Sequence, residues 1–251
     1  MTPLKSSRFR VGHNLLMINQ GQKQMTDISY TLKRMDVPTW GINCTLVNYD
    51  TSFNNDDKVV NDIRTATDMG KWIGICSPIP GRGKTHLAIG AMGRSWFSHI
   101  KSTWERTKPY HEDNTICTDQ FDCSKKHSYR KETYIERYEE DDYFFTRADI
   151  MLDELAMAGI SLKEGFKFYS TKRCLLLDEI GRNTMNKNKL ELLQTVIYEI
   201  YDQQRQLIFT SPFTIKTLSG ILDGSILDRM NEGLIIELPK GNSYRHNGQP
   251  S

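Results

Sequence analysis

The segment SPIPGRGKTH, Ser77 to His86, constrains this chain more than any other. A loop that cradles a phosphate turns several backbone N–H groups toward one anion, so it needs glycines and a helix N-terminus directly behind them. It also needs a lysine for the outer phosphates and a hydroxyl for a divalent cation. Gly81, Gly83, Lys84 and Thr85 meet these demands. They follow KWIGICS (Lys71 to Ser77), which reads as a short buried strand, and they open GKTHLAIGAMGRSWF (Gly83 to Phe97), which reads as an amphipathic helix. Strand, glycine-rich turn and helix begin a βαβ unit, which implies an α/β fold with a mostly parallel sheet between helices. The candidate nucleotide-binding stretch is Pro80, Gly81, Arg82, Gly83, Lys84, Thr85 and His86, with ATP and Mg²⁺ as expected ligands. One position departs from G-x-x-x-x-G-K-[ST]: Pro78 stands where the first glycine belongs, so the loop entrance must differ.

Downstream, RCLLLDEI (Arg173 to Ile180) reads as a strand buried on both sides. It delivers Asp178 and Glu179 at its carboxyl end, where open α/β sheets place their ligands. Adjacent strand residues point to opposite faces, so the two carboxylates do different work. Asp178 is expected to hold Mg²⁺ together with Thr85, and Glu179 to polarise an attacking water. A glutamate in that role argues against a nucleoside kinase, whose acceptor is a bound hydroxyl. The strand LIFTSPF (Leu207 to Phe213) follows by one helix, and its polar end offers Thr210 or Ser211 to a γ-phosphate, unless they only form a turn. Arg229, in ILDRM, is either a solvent-facing helical residue or a donor to a neighbouring subunit's site.

Further elements bracket these motifs. DDKVVNDIRTATDMG is a helix ending near Gly70, YFFT (Tyr143 to Thr146) a strand, and RADIMLDELAMAG a helix. A long helix is expected from about Lys187 to Gln204, short ones from Thr214 and around Ser225 to Asn231, and a last strand in GLIIELP. Residues 1–38 form a helical arm, with Leu15, Leu16, Ile18, Met25, Ile28, Leu32 and Met35 as an imperfect apolar stripe that either packs on the main domain or docks on a partner. The remainder, 39–251, is the main domain. It carries an insertion at about 101–142 with 8 Lys/Arg, 11 Asp/Glu, six aromatics and hardly any aliphatics, too polar to supply a core. His111, Cys117, Cys123 and His127 within it are zinc-ligand types, but their spacing lacks a C-x-x-C knuckle, which favours dispersed side chains. The whole chain has 33 Lys+Arg against 31 Asp+Glu, a balance that excludes a polybasic protein but allows local basic patches such as KSSRFR and KKHSYRK. No apolar run is long enough to span a membrane. Five cysteines fit free thiols in a reducing, cytoplasmic setting.

Taken in order, GRGKTHLA, LLLDEI, TSPFTIKTL, ILDRM and GNSYR resemble the DnaC/DnaI/IstB group of AAA+ ATPases, over about Thr39 to Arg245. The resemblance implies a five-stranded AAA+ core with Walker A and Walker B motifs and ATP at subunit interfaces. It also implies homo-oligomers that grip single-stranded DNA and a replicative helicase recruited through residues 1–38. It makes Arg229 a trans-acting arginine finger and puts Arg245 near the nucleotide as a second sensor. A phage or mobile-element origin fits the short arm and the diverged core. Pro212 stands where the group commonly has a sensor asparagine, so that sensor role either disappears or passes to Ser211. Two alternatives stay open: an IstB-like transposition helper, and a nucleotide-gated adaptor with little hydrolysis.

Overall fold

A computed structural model describes residue 32 and residues 35–107, 110–111, 127–128, 142–157, 162–182 and 185–244. Helix α1 (Asp57–Asp68) leads into strand β1 (Ile73–Cys76), and the glycine-rich turn then delivers helix α2 (Lys84–Thr107). After a short antiparallel pair, β2 (Tyr110–His111) and β3 (His127–Ser128), the chain runs β4 (Tyr143–Arg147), α3 (Ala148–Met157), α4 (Leu162–Ser170) and β5 (Cys174–Asp178). It closes with α5 (Lys187–Asp202), β6 (Gln206–Ser211), α6 (Ile215–Ser219), α7 (Gly224–Asn231) and β7 (Leu234–Glu237).

Five strands form one sheet in the order β4-β5-β6-β1-β7, with every pairing parallel. The α/β class and the five-stranded sheet read from the sequence are the ones observed. The connection leaving β1 runs over one face, through α2, and the one leaving β6 runs over the other, through α6 and α7. Neighbouring strands whose connections part in this way leave a crevice at their carboxyl ends, so β1 and β6 mark the ligand position of the fold.

The pleat sorts the core into two layers. Ile73, Ile75, Cys174, Leu176 and Ile208 pack with Leu87, Ile89 and Met92 of α2 and with Val60 and Ile63 of α1. Their alternate neighbours Leu175, Leu177, Leu207 and Phe209 pack with Leu152 of α3, Val196 and Ile197 of α5, and Ile226 of α7. Period-2 alternation thus continues through a sheet buried on both faces. The strand ends inherit it: Asp178 and Thr210 belong to the α2 side, and Ser211 to the other.

Two helices differ from the sequence reading. Helix α2 continues past Phe97 to Thr107, because no glycine or proline intervenes before Pro109, so the first residues of the 101–142 insertion are helical. Helix α4 was not foreseen. Gly165 sits within it, and a Cβ there would lie 2.8 Å from Leu155 Cδ2, so the residue that weakens the helical pattern lets α4 lie close on α3. The last residues of the expected arm pack on the main domain. Leu32 and Met35 are fully buried in the α2-side core, and the Phe145 amide on edge strand β4 donates to Met35 O at 2.8 Å. Residues 1–31, 33 and 34 of the expected arm lie outside the described residues. So do Cys117 and Cys123, although His111 and His127 are register partners across β2 and β3. Among the described residues, Cys44, Cys76 and Cys174 are free and buried, and no helix is long and apolar enough to cross a membrane.

Candidate nucleotide site

The turn after β1 adopts the backbone its glycines permit. Gly81 and Gly83 have φ of 70° and 94°, a region open to glycine at little cost. A Cβ on Gly83 would also meet the Tyr49 ring at 2.7 Å. Helix α2 begins immediately afterwards, and the first N–H groups of a helix have no intrahelical acceptor, so this end is electropositive. Lys84 Nζ lies over the same turn, donating to Ser77 O at 3.0 Å and Ile79 O at 3.3 Å. The entrance is built to suit Pro78: Ser77 Oγ accepts the Ile79 N–H at 3.2 Å, and Ser77 N donates to Ser211 O on β6. One amide is missing and the next is engaged, so an anion here would meet backbone amides later in the loop than in a glycine-first loop.

The end of β5 meets this turn. Asp178 Oδ1 accepts two hydroxyl protons, from Thr85 Oγ1 at 2.9 Å and Thr210 Oγ1 at 2.6 Å. Burial pushes the Asp178 carboxyl above its ordinary value, against the hydrogen bonds from Thr210 and Thr85. The paired oxygens of Thr85 and Asp178 fit a hard divalent cation such as Mg²⁺, which takes hydroxyl and carboxylate ligands. Thr210 also accepts the Glu179 N–H at 2.9 Å, and Ile180 N donates to Thr210 O. One threonine therefore fixes both the carboxylate and the turn after it. Glu179 lies past the strand end with φ of 61°, so a left-handed residue rather than the strand pleat separates it from Asp178. Its carboxylate is ion-paired with Arg182.

The other expected site residues are placed as follows. Ser211 is buried on the opposite side of β6, donating to Ile180 O at 2.9 Å and accepting from Phe213 N, so its hydroxyl does not face the phosphate turn. Arg82 requires the clearest correction. Its side chain is fully buried and paired with Asp56, leaving only its backbone for a ligand. His86 Nε2 lies 3.0 Å from Thr45 O and 3.1 Å from Asn48 Oδ1, tying α2 to that segment rather than facing the turn. Burial lowers the His86 pKa. Pro80 is exposed at the tip of the turn.

Arg229 is remote from all of these. It borders a cleft of about 490 Å³ with Gly70, Trp72, Arg205 and Gly233, residues that precede the strands, so it sits at the amino edge of the sheet. Its guanidinium lies 4.6 Å from the Tyr198 ring and 4.8 Å from the Tyr201 ring, and Nη1 donates to Ser225 O. Arg245 lies outside the described residues; its neighbour Tyr244 donates from N to Gly81 O at 2.9 Å. Sequence reasoning missed Tyr49 and Asp56, whose partners are 33 and 26 positions away along the chain, with no spacing to signal them.

No protein-family model matches the chain, and no curated protein does. Solved structures do. The crystal structure of the DnaC helicase loader superposes with a TM-score of 0.53 at 15% identity, covering 78% of this chain and 97% of that one. The crystal structure of DnaI gives 0.52 at 13% identity, covering 82% and 94%. The chain has the fold of these DnaC and DnaI structures. AMPPCP-bound DnaA from Aquifex aeolicus shares the AAA+ fold, with a TM-score of 0.51 at 16% identity over 80% of this chain. The chain spans about half the length, 51%, of that DnaA structure and of a DNA replication initiation factor.

Proposed function

We propose that this chain is an ATP-binding AAA+ protein of the helicase-loader type, which assembles in an ATP-dependent manner and loads or remodels a replicative helicase on single-stranded DNA. The observation that carries the reading is the meeting of Thr85, Asp178 and Thr210 beside a positive-φ glycine turn, at the crevice between β1 and β6. The likeness to DnaC and DnaI over nearly the whole of their solved chains supports a loader over an initiator.

In this reading Lys84 exchanges the carbonyls of Ser77 and Ile79 for phosphate oxygens, and the amides from Gly81 to Thr85 surround the anion. Thr85 and Asp178 hold Mg²⁺, which neutralises phosphate charge when bound. Glu179 leaves Arg182 to orient the attacking water, and Arg229 serves the site of a neighbouring subunit. Arg245, next to the residue that bonds Gly81, is the second sensor. Within residues 1–38, the part that precedes the core-packed Leu32 and Met35 recruits the helicase, and 39–251 form the ATPase domain.

A nucleotide-gated adaptor with slow turnover is the second reading, favoured by the Glu179–Arg182 pair and by the Ser211 hydroxyl facing away from the turn. ATPase rate and particle size, measured with and without ATP, single-stranded DNA and a candidate helicase, separate the two. Turnover stimulated by single-stranded DNA and abolished in Glu179→Gln supports the loader, and unstimulated residual turnover supports the adaptor. Unchanged nucleotide affinity in Lys84→Ala refutes both.

A further inference from the structure

Within Gly81–Arg82–Gly83 the two glycines are left-handed and make the turn permissive, and Arg82 carries the one side chain. That side chain runs away from the phosphate side into the protein. Nη1 and Nη2 donate to the two Asp56 oxygens at 2.6 and 2.7 Å, Nε donates to Pro239 O at 3.2 Å, and Nη1 lies 3.3 Å from Tyr49 Oη. Tyr49 Oη in turn donates to Asp56 Oδ2 at 2.7 Å. Arg82 and Asp56 are each fully buried, and Asp56 is the N-cap residue of α1, yet its carboxylate caps no amide there. A capping aspartate normally accepts a bond from the helix amides; here the carboxylate is given to the guanidinium instead.

The same knot holds the carboxyl-terminal segment. Tyr244 donates from N to Gly81 O at 2.9 Å and from Oη to Asp50 O at 2.7 Å, and its ring packs on Tyr49 and Phe53. Asn54 and Asn242 add a reciprocal side-chain-to-backbone pair. Three stretches far apart in sequence, Tyr49–Asp56, Gly81–Arg82 and Pro239–Tyr244, thus converge on one guanidinium.

We propose that Arg82 is a positioning residue: its bidentate pair with Asp56 holds the turn in its anion-binding form and couples it to the 239–244 segment. The coupling to nucleotide rests on the reading of the turn as an ATP site; the anchoring of the turn does not. A buried ion pair that loses one partner is strongly destabilising, whereas replacing both by apolar groups of similar volume is often tolerated. The decisive protein is therefore the Arg82→Met/Asp56→Leu double variant, compared with the full wild-type chain and with Arg82→Lys, which keeps the charge but not the fork geometry.

Hydrogen exchange of the 79–85 amides is followed without nucleotide, and ATP affinity and ATP-induced protection of 239–244 are followed with it. Amide exchange at least about tenfold faster, ATP binding at least about tenfold weaker and no ATP-induced protection of 239–244, in a protein that still melts cooperatively, are expected. Wild-type exchange and affinity in the double variant overturn the proposal. If the double variant does not fold, Arg82→Lys decides by the same readouts, with unchanged values overturning it. A wild-type chain that binds no ATP but whose 79–85 amides open in Arg82→Lys refutes the nucleotide reading and leaves the anchor standing.

Discussion

Asp178 accepts both of its hydroxyl protons on one oxygen, Oδ1. An asparagine carbonyl at that place can accept the same two bonds, so Asp178→Asn removes a charge without removing a hydrogen bond. The folded carboxyl holds its proton to higher pH than the unfolded one. Stability from this group is therefore fullest in acid and declines as pH rises from the ordinary aspartate range through the raised folded value. Asp178→Asn is expected to melt at a higher temperature than the wild type at neutral pH, with the gap closing below about pH 4. On the proposed ATPase reading, which makes Asp178 a Mg²⁺ ligand, turnover is expected to fall at least about 100-fold in the same variant, since a metal ligand contributes several kcal/mol to charge stabilisation. Calorimetry across pH and a steady-state assay check the two halves separately. Thr210→Val keeps the shape but leaves the Glu179 N–H without its acceptor, a loss of about 1–3 kcal/mol in chemical denaturation. That Lys84, Thr85 and Asp178 meet beside one turn was legible because the glycine turn, the helix start and the end of a buried strand fix their places. The choice between Thr210 and Ser211 was legible in principle from the pleat, which assigns alternate residues to opposite faces. Arg82 was not: nothing in GRGKT says which x residue turns inward to a carboxylate 26 positions earlier.

At the scale of elements, the strands and the phosphate-turn helix were readable because burial on both faces leaves runs such as CLLLD with nothing polar before the final carboxylate. Helix α4 escaped because Gly165 and its aromatics obscure the helical period, and only the approach to Leu155 explains the glycine. The entry to β7 follows similar logic with a firmer neighbour. A Cβ on Gly233 would lie 2.5 Å from the carbonyl oxygen of Trp72, which accepts the Leu234 N–H. Backbone at the edge of β1 cannot swing aside as a side chain can, so Gly233→Ala has to displace β7 itself. A loss of about 2–3 kcal/mol is expected in urea unfolding, in the range of other overpacked sites. Strand β7 also leads to Pro239 and Tyr244, so on the proposed nucleotide reading weaker ATP binding should accompany the loss. Full stability in Gly233→Ala would show that β7 shifts freely and that the 239–244 segment is not held through it.

Across the whole molecule, the sheet separates the glycine turn from Arg229. Parallel strands put that turn, Asp178 and Glu179 at their carboxyl ends, while Arg229 borders the cleft beside Trp72 and Gly233 at their amino ends. Strand β1 alone, four residues at about 3.3 Å each, keeps these edges roughly 13 Å apart. Arg229 cannot complete the site of its own chain, so any catalytic role requires a second copy presenting its amino edge to the first copy's phosphate turn. Its guanidinium is held between Tyr198 and Tyr201, with Nε buried and unpartnered, which orders it before any such encounter. Subunit mixing tests the arrangement. On the proposed ATPase reading, Lys84→Ala removes the lysine that meets phosphate and Arg229→Ala the arginine, so each variant alone should be inactive. In an equal mixture, a site regains both groups when an Arg229→Ala subunit, with its intact turn, meets the arginine of a Lys84→Ala neighbour. Random assembly makes that arrangement about one quarter of all sites, so about one quarter of wild-type turnover should return. A mixture as inactive as its components refutes a trans role for Arg229. An Arg229→Ala protein that is active on its own shows instead that the residue serves the Tyr198–Tyr201 packing and nothing more.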